Sequence, residues 1–181
     1  MSLFLATLLP GLLLVLIGAL LLWNNPVVSD TARALPRSRR AAILLYGGGA
    51  LWFLARISRL SEADLIFFQS PWPVFCIFAA LAILAFIYVP DFLAVRGLCI
   101  LMLMVAEPLL RAAYMEYAHP QRLLMVSAVY LGLVLALYLS SVPYRLRDIL
   151  EWLFRRPGRP RLLGAVLLVY GLATSAAAFT Y

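Results

Sequence analysis

Apolar residues fall into six long blocks that are separated by short polar connectors. The blocks are residues 3–23, 41–57, 72–89, 97–115, 123–142 and 162–181. A helix needs about 20 apolar residues to cross the hydrocarbon core of a bilayer, which is about 30 Å thick. The pattern therefore predicts an all-α fold, a polytopic membrane bundle of about six transmembrane helices. Because Arg56 and Arg59 interrupt the end of the second block, a bundle of five spans is the alternative.

The composition agrees with a membrane protein and leaves no room for a soluble domain. Of 181 residues, 65% are hydrophobic and 13% are charged, and the mean hydropathy is +0.98. Ordinary soluble domains contain about one quarter charged residues. We therefore expect a single transmembrane domain over residues 1–181. The first block is expected to remain as a span, since its apolar run is longer than that of a signal peptide and no basic residue precedes it.

Residues 143–156 form a connector with the pattern of an amphipathic helix. Its apolar residues follow helical spacing on one side, at Leu146, Ile149, Leu150, Leu153 and Phe154. Arg147, Glu151 and Arg155 are four residues apart and can pair on the other side. We interpret this segment as an interfacial helix before the last span. The alternative is an extension of the fifth span.

Arginine is concentrated in two connectors, which predicts the orientation of the chain. The clusters are Arg33, Arg37, Arg39 and Arg40 in the first connector, and Arg145, Arg147, Arg155, Arg156, Arg159 and Arg161 in the fifth. Positive residues in short loops are retained on the cytoplasmic side. With six spans both clusters are cytoplasmic, and both termini are periplasmic. All 15 basic residues are arginine, which suggests a GC-rich bacterial genome and hence a bacterial inner membrane.

The same arginines predict what the protein contacts. The net charge is +7, but the basic residues lie between apolar blocks and not on a soluble surface, so nucleic acid is not an expected partner. Anionic lipid headgroups are the partner that we expect these arginines to contact. The residues expected to contact headgroups or a partner are Arg37, Arg39, Arg40, Arg145, Arg147, Arg155 and Arg156.

Small residues in two blocks predict close contact between helices. In the last block, Gly171 and Ser175, and likewise Ala173 and Ala177, lie four residues apart. Such spacing lets two helix backbones approach closely in a membrane. The stretch YGGGA, residues 46–50, gives the second block a similar face. The contact can be made within the chain, with a partner protein or in a homo-oligomer.

The fourth block contains the candidate site, which consists of Glu107, Pro108 and Arg111. An ionised carboxylate near the middle of a span costs about 2.5 to 3.5 kcal/mol, so Glu107 needs a partner. Arg111 lies one helical turn further on the same face. Pro108 removes a helical hydrogen bond beside the carboxylate. Either this group forms a proton or ion site, or the ion pair only fixes how the fourth helix packs.

The remaining polar residues give weaker signals. Glu116 and His119 have the spacing of two metal ligands on one helix, but a helix-end histidine is the favoured interpretation and no metal is expected. Glu62 and Asp64 are the only other acidic candidates on that face, and they lie in SEADLIFF, a possible short helix from Ser61. The two cysteines, Cys76 and Cys99, are expected to be buried thiols.

These features lead to two functional hypotheses. The first is a noncatalytic subunit or assembly partner of a membrane complex, which works by helix packing and through its arginine-rich face. The alternative is a small transporter or channel that uses Glu107 and Arg111 beside the Pro108 kink. A lipid-modifying enzyme ranks lower because a second catalytic group is missing, and no cofactor is predicted.

Overall fold

The computed structural model describes residues 1–61 and 70–181, and within these ranges the chain forms helices and no strands. The eight helices are α1 (Leu3–Trp23), α2 (Pro26–Ala34), α3 (Arg39–Ile57), α4 (Pro71–Tyr88), α5 (Leu93–Ala113), α6 (Arg122–Ser141), α7 (Tyr144–Phe154) and α8 (Gly158–Ala178). All except α2 and α7 are long and apolar enough to cross a membrane. The predicted all-α bundle of six spans is therefore confirmed.

Two spans begin earlier than the apolar pattern predicts. Helix α5 begins at Leu93 and α8 at Gly158, each four residues before the predicted start. The other four begin within two residues of their predicted starts. The early starts place Arg96 and Arg161 inside helices. Long arginine side chains can reach water from within a helix, so an arginine does not by itself mark the end of a span.

Helices α1 and α8 form the closest contact in the described bundle. They pack antiparallel, with Gly11 opposite Gly171 and Gly18 opposite Gly164. A Cβ atom placed on Gly18 would lie only 2.6 Å from the backbone nitrogen of Leu168. The backbones therefore touch, and the small-residue face of the last span packs against the first span of the same chain.

Helix α5 lies at the centre of the bundle, where it contacts α1, α3 and α6. Gly97 of α5 packs against the backbone of Tyr46, which lies in a π-helical turn of α3, Ile43–Gly47. Of the three consecutive glycines in α3, only Gly49 meets a neighbouring helix, since a Cβ atom placed on it would lie 3.0 Å from the Ile100 side chain. Helices α3 and α5 thus approach closely at YGGGA, as predicted, but the glycine that permits the contact is mainly Gly97 of α5.

Helix α4 lies at the edge of the bundle and packs mainly against α3. None of its residues is buried. Its closest aromatic contact joins Phe78 to Phe53 of α3, with the ring centroids 5.2 Å apart. This peripheral position leaves a cleft between α4 and the central helix α5.

The first and fifth connectors meet at one end of the bundle. Arg33 donates a hydrogen bond of 3.0 Å from Nη2 to the backbone carbonyl of Phe154, which joins α2 to the end of α7. We call this end, residues 24–40 and 142–157, the arginine-rich face. The opposite face carries both termini, since the Thr7 hydroxyl donates to the Tyr181 hydroxyl at 3.3 Å. That the arginine-rich face is cytoplasmic remains a prediction.

Helix α7 is separate from the fifth span, because α6 ends at Ser141 and the backbone leaves helical geometry at Val142. The extension of the fifth span is therefore wrong. Arg147 pairs with Asp148 at 2.8 Å and with Glu151 at 3.7 Å. The hydrogen bond to Asp148 and its charge raise the pKa of the Arg147 guanidinium. No ion pair between Glu151 and Arg155 occurs in the described part of the chain.

Helix α2 is a feature that the hydrophobic pattern missed. Asn25 caps it, accepting a hydrogen bond of 3.0 Å from the backbone N–H of Val27, and Pro26 occupies the first turn. This pair is a standard signal for a helix start. The possible short helix in SEADLIFF, together with Glu62 and Asp64, lies outside the described residues.

Candidate functional site

The carboxylate of Glu107 lies between two guanidinium groups. Its Oε2 atom is 3.1 Å from Nη2 of Arg56, and its Oε1 atom is 3.6 Å from Nη1 of Arg111. We call these three side chains the Arg56 cluster. The spacing in sequence identifies Arg111 as a partner, but the shorter contact is to Arg56 on α3. From the sequence alone, Arg56 is expected to reach toward headgroups, because nothing in the sequence pairs α3 with α5.

The cluster lies nearer the opposite face than the sequence suggests. Because α5 runs from Leu93 to Ala113, Glu107 lies four residues beyond its middle, about 6 Å along the helix axis. The side chains of Arg56, Glu107 and Arg111 are 55%, 48% and 80% exposed. Two guanidinium groups and one carboxylate leave a net charge of +1. The cluster is thus a half-exposed cationic group in the half of α5 that lies nearer the opposite face.

Pro108 lies directly beside the cluster within a continuous helix α5. Proline has no backbone N–H, so the helical hydrogen bond to the carbonyl of Met104 is missing. Helix α5 nevertheless continues for five more residues, to Ala113. The carbonyl of Met104 therefore lacks its helical hydrogen-bond partner, and it lies about one turn before Glu107 in α5.

Helices α3, α4 and α5 enclose an apolar cleft of about 540 Å³. Its lining comprises Tyr46, Ala50, Phe53 and Leu54 of α3, Phe78, Leu81, Ala82 and Ala85 of α4, and Ile100, Leu103 and Met104 of α5. We call it the α4 cleft. Among the described lining residues, the Tyr46 hydroxyl is the single polar side-chain group, and it donates to the carbonyl of Ala82 at 3.4 Å. The lining therefore offers apolar contacts and almost no hydrogen bonding.

The Arg56 cluster lies one helical turn beyond the end of the α4 cleft. Glu107 follows the lining residues Leu103 and Met104 by four and three positions, and Arg56 follows Phe53 by three. Residues at these spacings share one face of a helix. An apolar cleft and a cationic cluster are therefore continuous along α3 and α5.

The arginines of the arginine-rich face are held in different ways. Aromatic rings lie near three of them, with the Arg33 guanidinium 5.7 Å from the Phe154 ring centroid, Arg37 5.4 Å from Phe92 and Arg145 5.9 Å from Tyr144. Arg147 pairs with acidic residues of its own helix. The remaining four are exposed and make neither an ion pair nor a ring contact within the described ranges, namely Arg39, Arg40, Arg155 and Arg156. Their contact with lipid headgroups remains a prediction.

The weaker candidates lie apart from this site. The His119 ring makes an edge-on contact with Tyr181, with the ring centroids 5.1 Å apart. Across residues 1–61 and 70–181, no three potential metal ligands group together, and Glu116 has no such companions there. Cys99 is buried in α5 as expected, but Cys76 is exposed on α4, so its predicted burial is wrong. Because α4 lies at the edge of the bundle, none of its residues is buried, and Cys76 is exposed with the rest.

No protein-family model, curated protein or solved structure matches this sequence. The function must therefore be inferred from the arrangement of the chain's own residues.

Proposed function

We propose that this membrane protein is a noncatalytic subunit or assembly partner of a membrane complex, and that it docks through α4. The observation that carries the proposal is the position of α4. It is a complete apolar span with no buried residue. In each of the other five spans, 22% to 39% of an apolar stretch of 18 residues is buried. Lipid is as apolar as the helices, so spans associate by close packing and not by the hydrophobic effect. Helix α4 has little such packing within its own chain.

The test uses a photoreactive amino acid at two matched positions. Ile83 on α4 is 62% exposed and Val134 on α6 is 66% exposed, and both are apolar residues within spans. We expect a probe at Ile83 to give a protein crosslink of discrete mass in native membranes, and a probe at Val134 to give only lipid adducts. The mass distinguishes a second copy of the chain from a different protein. Lipid adducts alone at both positions would contradict docking through α4.

The alternative is a small transporter or channel that uses the Arg56 cluster. The half-exposed carboxylate of Glu107 beside a cleft favours this possibility. The apolar lining of the α4 cleft suits an apolar occupant better than an ion in transit. Flux through liposomes that contain the purified chain tests the alternative. Flux that is lost in Glu107→Gln while the protein stays folded would support transport over a purely structural role.

A further inference from the structure

An apolar cleft that ends in guanidinium groups has the same two-part character as a membrane lipid. We propose that the α4 cleft and the Arg56 cluster together bind one phospholipid with an anionic headgroup. The acyl chain lies in the cleft, and the phosphate contacts Arg56 and Arg111. The lipid comes from the leaflet at the opposite face. This site is distinct from the outward surface of α4 that the proposed function uses, and it does not depend on that proposal.

The size and lining of the α4 cleft fit an acyl chain. Ligand pockets typically have volumes of about 300 to 1,000 Å³ and are mostly apolar, with a few polar groups that fix orientation. The cleft has about 540 Å³ and lies between membrane-spanning helices. The one polar side-chain group of its described lining residues, the Tyr46 hydroxyl, already donates to a backbone carbonyl. An acyl chain would leave no hydrogen-bonding group of the lining unsatisfied.

The Arg56 cluster has donors left for a phosphate group. A guanidinium has five N–H donors, and bidentate contacts with phosphate are common. Arg56 contacts Glu107 through one nitrogen at 3.1 Å, and the Arg111 contact is longer, at 3.6 Å. The Arg111 side chain is 80% exposed, so it can reorient toward a headgroup. The net charge of +1 complements a headgroup with a single negative charge.

The position of the cluster selects a lipid over a soluble anion. Because the cationic groups lie one turn beyond an apolar lining on the same helix faces, a ligand that uses both must be amphiphilic. Phospholipids of the surrounding leaflet have this shape and charge. The headgroup end of such a lipid lies toward the opposite face, where Arg56 and Arg111 also lie.

The headgroup is tested by lipid competition on the purified full-length protein. Delipidated protein is mixed with equal amounts of phosphatidylglycerol and phosphatidylcholine that carry the same acyl chains, and retained lipid is measured by native mass spectrometry. We expect one bound lipid with a preference for phosphatidylglycerol. Arg56→Gln and Arg111→Gln should each reduce this preference about fivefold, which corresponds to about 1 kcal/mol per arginine. Arg161→Gln, an exposed arginine on α8 that is neither in the Arg56 cluster nor among the residues expected to contact headgroups, should leave it unchanged.

The acyl chain is tested by filling the cleft. Ala85 lines the α4 cleft, whereas Ala80 is exposed on the same helix and does not. We expect Ala85→Phe to abolish retention of both lipids and Ala80→Phe to have no effect. Equal retention of the two lipids by the unaltered protein, or equal behaviour of the two alanine variants, would overturn the proposal. So would displacement of the lipid by soluble glycerol phosphate, or loss of a protein dimer in Ala85→Phe, which would assign the cleft to a second copy.

Discussion

Replacing Gly18 by alanine should separate the first and last spans and destabilise the bundle. The added Cβ would lie 2.6 Å from the backbone nitrogen of Leu168 and 2.7 Å from the carbonyl oxygen of Gly164. Ordinary contact begins at 3.4 Å, so the first distance is too short by 0.8 Å. Both opposing atoms belong to the backbone of α8 and cannot rotate away. The helices must therefore move apart.

The expected cost follows from this displacement. A gap of about 0.5 to 1 Å loses a quarter to a half of the dispersion energy between packed atoms. Overpacking of a close interface typically costs about 1 to 3 kcal/mol. Alanine also raises helix propensity by about 1 kcal/mol over glycine, which partly offsets the cost. A matched control removes this term, because a Cβ atom placed on Gly48 of α3 would have no atom of a neighbouring described segment within 4 Å.

The assay is reversible unfolding in mixed micelles with increasing sodium dodecyl sulfate, followed by circular dichroism. We expect Gly18→Ala to be less stable than Gly48→Ala by about 1 to 3 kcal/mol. Gly48→Ala itself should match or exceed the stability of the unaltered protein. Equal stability of the two variants would show that α1 and α8 are not in backbone contact.

Three further predictions concern hydroxyl groups, the ion cluster and topology. The buried Ser175 hydroxyl has no hydrogen-bond partner in the described structure, so Ser175→Ala should raise the free energy of unfolding by about 1 kcal/mol in the same micelle assay. Ser127→Ala should instead lower the free energy of unfolding, because it loses a hydroxyl contact of 2.8 Å with Tyr170. Glu107→Gln should change stability by less than about 1 kcal/mol, since the ion pairs are half exposed, and size-exclusion chromatography should show an unaltered folded peak. Cysteines placed at Ser38 and Thr180 of a cysteine-free variant should react with an impermeant maleimide from opposite sides of the membrane, and labelling from one side would refute the arrangement of the two faces.

The spans could be predicted from sequence because each depends on a local property. A run of about 20 apolar residues forms a span whatever its neighbours are. The predicted bounds of α1, residues 3–23, agree with the structure. The predicted starts of α5 and α8 are wrong, because the apolar pattern places Arg96 and Arg161 outside their helices. Helix α2 could have been found from Asn25 and Pro26, a capping signal that does not depend on hydrophobicity.

Contacts between helices could not be predicted in the same way. The small residues of the last span predict close packing, but they do not say that the partner is α1. Likewise, the carboxylate of Glu107 predicts a cationic partner within its own helix, and Arg111 is the only arginine at suitable spacing. Arg56 lies 51 residues away, and its pairing follows from how α3 packs against α5.

The two contacts between α3 and α5 together explain why an exposed ion pair can matter for architecture. Gly97 meets Tyr46 near the arginine-rich face, and Glu107 meets Arg56 toward the opposite face. The two positions are ten residues apart on both helices, about 15 Å, so the helices run parallel in one fixed register. A half-exposed ion pair contributes little stability, but it disfavours any slip of α3 along α5. Because α4 packs mainly on α3, this register also sets the width of the α4 cleft and the direction that the outer surface of α4 faces.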